Sequence, residues 1–183
     1  MQIRSVVFLL VCACVGTLSF GCAQQAPAPP PAPAAPAAQL GGTLIQVMRG
    51  IIYPASNVIF AGSNGNPADV KPAKDPSIAT DPLASTYGQW TAVENAGIAL
   101  AEGANLLTIP GRKCSNGVDA PMSDPNWPKF VQGLRDAGKT VYMAAQAKNA
   151  DKMLEAADVM TTACSNCHDK WRDKPGGEKD RCM

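Results

Sequence analysis

Toward its C-terminus the chain carries Cys164-Ser165-Asn166-Cys167-His168, five residues whose types and spacing could do one specific piece of chemistry. C-x-x-C-H is the attachment pattern for c-type haem. On a helix, positions three and four apart leave the same face within one turn. Two thiols so placed can add across the two vinyl groups on one edge of a porphyrin, and the imidazole is brought beneath the iron. Neutral imidazole is a good donor to iron. The chain has one histidine, and it stands where the pattern needs it. From the chain's own cysteine and histidine frequencies, a chance match is on the order of one in a thousand for such a motif.

Three other readings of the same residues fit less well. A thioredoxin-like redox pair expects a strand-to-helix context, and this motif lies late in a chain with almost no strand signal. A structural zinc site could draw on Cys164, Cys167, His168 and either Cys114 or Cys182, but adjacent Cys167 and His168 are awkward partners in one tetrahedral shell. A Cys164–Cys167 disulfide leaves His168 without a role.

The elements that must hold the motif read as four helices. Residues 42–61 place Leu44, Val47, Met48, Ile51, Ile52, Ala55, Val58 and Ile59 at three- and four-residue intervals, the stripe of an amphipathic helix. Pro54 predicts a kink or break there. Residues 62–82 are rich in Gly, Asn, Asp and Pro and read as a long loop. A second helix is predicted over 83–107 with Tyr87, Trp90, Val93 and Leu100 in its apolar set. A third follows Pro125 and runs to about residue 148, with Trp127, Phe130, Val131, Leu134, Val141 and Tyr142. The fourth, 150–172, carries Leu154, Met160, Cys164, Cys167 and His168 along one side. Met143, Met153 and Met160 are expected to be packing residues. Four such helices bury their stripes most economically in an all-α, antiparallel four-helix bundle with a covalently attached haem on the C-terminal helix.

With those residues in view, the chain resembles the class II c-type cytochromes, the cytochrome c′-like family, including its low-spin Met/His branch. The resemblance spans roughly residues 39–172. Its specific part is Cys167-His168-Asp169-Lys170-Trp171-Arg172, similar to the family's C-H-x-x-aromatic-basic ending on the last helix. It implies one covalent haem c, with Cys164, Cys167 and His168 binding it. In the low-spin branch the first helix supplies a methionine to the iron, and Met48 is the only methionine on that segment. Thioether sulfur suits iron, and a Met/His pair raises the reduction potential. Met48 also lies on the apolar stripe, where a plain core role is the alternative. The function implied is electron transfer with redox partner proteins. The alternative is a five-coordinate cytochrome c′ binding nitric oxide or carbon monoxide. Family members often pair through their first two helices, which leaves a homodimer open.

The N-terminus reads as an address. Residues 1–22 form an export signal, with Arg4 ahead of an apolar run. Leu18-Ser19-Phe20-Gly21-Cys22 resembles a bacterial lipobox, which makes Cys22 a lipidation candidate; ordinary cleavage near Ala23 is the alternative. Residues 23–38 are a Pro/Ala-rich linker, too poor in bulky apolar side chains to fold, and residues 39–183 are the cytochrome domain. The protein is therefore expected to be exported, either free in the periplasm or as a membrane-tethered lipoprotein facing the periplasm or the exterior, touching the membrane only through a lipid. In that oxidising setting Cys114 and Cys182 are the candidate disulfide, pinning the C-terminal tail to the loop between the second and third helices. Sixteen Lys plus Arg against fifteen Asp plus Glu offer no basic excess for nucleic acid. No nucleophile–base pair or acidic dyad suggests an enzyme.

Overall fold

A computed structural model describes residues 38–176 and 181–182. The export signal, the Cys22 lipidation candidate and all but the last residue of the Pro/Ala-rich linker lie outside the described residues. Among those described the chain is all-α: there is no strand, and four helices pack against one another.

Helix α1, Leu44–Ser63, starts where the Thr43 N–H donates to Gln46 Oε1 at 2.8 Å. Its beginning is tied to the end of the second helix by Arg112. That buried guanidinium donates from Nε to the Leu106 carbonyl (2.9 Å) and from Nη1 to the Gly42 carbonyl (2.6 Å). By length and composition alone α1, with a mean hydropathy of 1.3, could cross a membrane. Its Leu44, Val47, Ile52, Ala55 and Ile59 are packed into the core.

Pro54 does not break α1. The helix runs through it, with a widened π-turn over Met48–Ile52 immediately before. The extra residue in that turn shifts the buried stripe: Val47 and Ile52 are buried, whereas Ile51, expected in the stripe, is 36% exposed.

Helix α2 is Gln89–Leu106, six residues later than the apolar pattern suggested. Asp81 Oδ1 accepts from the Leu83 N–H at 2.9 Å, folding Pro82–Ala84 into a short 3-10 turn. An Asx-type bond to the backbone competes with helix formation in this way. Leu83 is still buried, but Tyr87 lies outside the helix and is exposed.

Helix α3, Asn126–Gln146, crosses α2 with backbone nearly touching backbone. A Cβ on Gly138 would come within 2.6 Å of the Ala101 nitrogen, and one on Gly97 within 2.8 Å of the Tyr142 nitrogen. Helix α4, Ala150–Cys167, is capped by Asn149, whose side chain accepts from the Lys152 N–H at 2.9 Å, and continues as a second π-turn over His168–Arg172. Met153 and Met160 are fully buried. Met143 and Leu154 are not packing residues: both point into solvent.

Candidate functional site

The C-terminal end of α4 is fixed by an aromatic cluster. Trp171 is buried and meets Trp127 and Phe130 of α3 edge-on, with centroids 5.0 and 5.5 Å apart. Trp127 in turn donates from Nε1 to the Leu107 carbonyl at 3.1 Å. Edge-to-face rings at these separations attract beyond their buried area. Lys170 adds an ion pair to Asp124 at 3.1 Å, just ahead of α3.

Beside this cluster lies a cavity of about 350 Å³. This is within the roughly 300–1,000 Å³ of small-molecule and cofactor sites. Cys164, Cys167 and His168 line it from α4, and Met48 lines it from α1. Residues far apart in the sequence thus share one wall-to-wall space. The rest of the lining is mostly apolar, with Leu44, Ile52, Leu107, Trp127, Val131, Leu134 and Trp171, while Arg49 and Arg172 supply cations.

The electrostatics of the α4 wall follow from burial. It pushes both thiols up, Cys167 to about 11 with Cys164 adding to the effect, so both are protonated, free thiols at neutral pH. Burial lowers the His168 pKa, and the positive Arg172 lowers it further. The ring is therefore neutral at physiological pH, with a lone pair on one nitrogen. Arg172 Nη1 lies 3.4 Å from His168 Nε2; a guanidinium only donates, so in that contact the ring nitrogen accepts.

Cys114 and Cys182 are brought within bonding distance, their Cα atoms 4.9 Å apart. Cys182 also lines the cavity, and its N–H donates to the Trp171 carbonyl at 3.0 Å. The tail therefore closes one side of the same space. With Cys114 and Cys182 paired, neither thiol is left to complete a zinc shell with Cys164, Cys167 and His168.

Sequence reasoning passed over Arg49, Ser56 and Cys182 as lining residues, and Arg112 as the clamp at the head of α1. Arg49 had a signal: it is the only charged side chain in the twenty residues of α1, directly after Met48. Cys182 and Arg112 had none, because both act through contacts distant in sequence.

No protein-family model matches the chain, and neither a curated protein nor a solved structure matches it.

Proposed function

We propose that the protein is an exported monohaem c-type cytochrome that transfers electrons, with its four helices forming an antiparallel bundle around the cofactor. The carrying observation is that Cys164, Cys167, His168 and Met48 line one largely apolar cavity. The residues present fit haem c: a planar apolar macrocycle suits the Trp, Leu and Val walls, and its carboxylate arms suit the Arg49 cation, Arg172 being already paired with Asp173 at 2.8 Å. Haem c, when bound, supplies a one-electron Fe(III)/Fe(II) couple. On this reading Cys164 and Cys167 would hold the group by thioethers, and the neutral His168 imidazole, giving up its Arg172 contact, would be one iron ligand. The Met48 thioether would be the other, a ligand set suited to electron transfer. Trp127, Trp171 and Leu107 would give the group an apolar wall, and a fixed pair of ligands would keep reorganisation small.

Export rests on the N-terminal sequence and is supported by the Cys114–Cys182 pair, since disulfides persist in oxidising compartments. Lipidation at Cys22, redox partner proteins and a homodimer remain parts of the same proposal.

The visible spectrum of the reduced protein tests it. Sharp low-spin bands that carbon monoxide leaves unshifted are expected, and Met48→Ala is expected to turn the protein high-spin and responsive to carbon monoxide. A wild type that binds carbon monoxide at once would favour the five-coordinate alternative.

A further inference from the structure

The π-turn in α1 begins at Met48, a residue that lines the cavity. Leu44, Met48, Ile52 and Ser56 all line the cavity, and they are spaced by four. In an uninterrupted α-helix each such step drifts about 40°, so the set would fan over about 120°. One extra residue in the turn removes about 100° of that drift. Met48 and Ser56 then fall within about 20° of each other, where a regular helix would hold them about 80° apart.

Pro54 stands at the C-terminal side of the widened turn. A regular helix would bond the residue 54 N–H to the Gly50 carbonyl, but Pro54 has no N–H and its ring clashes with that carbonyl. The Tyr53 N–H donates to the Met48 carbonyl, five residues back. Gly50, at the centre of the turn, has nothing within 4 Å of where a Cβ would stand, so the core does not require it.

We propose that Pro54 is a positioning residue for Met48: it holds the π-turn at Met48–Ile52, and that turn aims the thioether into the cavity. The consequence for iron ligation rests on the haem reading given above; the aim of the side chain does not.

The test uses the full-length haem protein as wild type, Met48→Ala, Pro54→Ala, and Pro54→Ala with Gly50 also deleted. Pro54→Gln serves as a second way to restore the N–H. Circular dichroism checks that helix content is kept, and crystal structures read where Met48 points whatever the iron does. In Pro54→Ala, α1 is expected to become regular, with Met48 turned about 100° out of the cavity and the low-spin spectrum lost. Deleting Gly50 in that background removes the surplus residue and is expected to return both Met48 and the low-spin spectrum. A Pro54→Ala structure that keeps the π-turn would overturn the proposal, because burial of Leu44 and Val47 would then be what holds it. If Met48→Ala leaves the spectrum unchanged while Pro54→Ala still swings the side chain away, the ligand assignment fails and the positioning role stands.

Discussion

The two walls of the cavity both contain a π-turn, and the two turns are held in different ways. On α4 the widened turn begins at His168 and closes with the Asp173 N–H on the His168 carbonyl at 2.8 Å. It contains Trp171, clamped by Trp127 and Phe130, so tertiary packing fixes it. On α1 the turn begins at Met48 and lies on a helix with Tyr53 and Phe60 exposed. There a local covalent feature, the proline just beyond, stands where the aromatic clamp stands on the other wall. The direction of a cavity-lining side chain can thus be set by packing or by backbone chemistry, and each fails to a different mutation.

The largest effect expected separates attachment from packing. Replacing both Cys164 and Cys167 by Ser should abolish covalent haem altogether, read as loss of haem stain on a denaturing gel, while the fold of the helices persists by circular dichroism. Trp171→Ala comes next. Truncating a buried Trp typically costs about 3–5 kcal/mol, and a denaturant titration should show that loss on the α4 wall. Ile52→Ala on the opposite wall should cost less, near the lower end of the roughly 2–5 kcal/mol range for such truncations. Ile52 already faces the cavity on one side. Equal losses at the two positions would erase the distinction between a clamped and an unclamped wall.

The smallest effect concerns the ion pair that steadies the α4 turn. The Asn126 backbone N–H and the nearby Lys170 hold the Asp124 carboxyl below the usual carboxylate range. A depressed folded-state pKa contributes stability that is present above the unfolded value, about 3.9 for Asp, and is lost as pH falls through the folded value. Asp124→Asn should therefore lower stability slightly at neutral pH and lessen the further loss on acidification below about pH 4. A variant whose acid unfolding curve overlays the wild type would show that the pair does not steady this wall.

How much of this was readable in the sequence differs between the same two walls. The helical periods, the packing of Trp127 and Val131, and the C-x-x-C-H turn are local, repeating signals, and the structure has helices where they lie. The candidate ligands on α4 were legible because three residue types sit within one turn. On α1 the period misled. The stripe through Leu44, Val47, Met48, Ile51 and Ile52 fits a regular helix, so Ile51 read as core. Pro54 signalled a disturbance, but not that it would be absorbed as a widened turn one step earlier. The late start of α2 had a similar origin: Asp81 and Pro82 favoured a 3-10 turn over the helix that Leu83's apolar character suggested. Met143 and Leu154 show the limit of composition, since an apolar side chain on a helix does not say which way it faces. The Arg112 clamp and the closing of the cavity by Cys182 depend on chain segments that meet only after folding.

The most direct measurement is the intact mass of the mature protein, produced in a host competent for haem ligation. A mass greater than the polypeptide by one haem, retained under denaturing conditions and lost in the double Cys164→Ser, Cys167→Ser variant, is the expected result. A mature polypeptide with no added tetrapyrrole would contradict it.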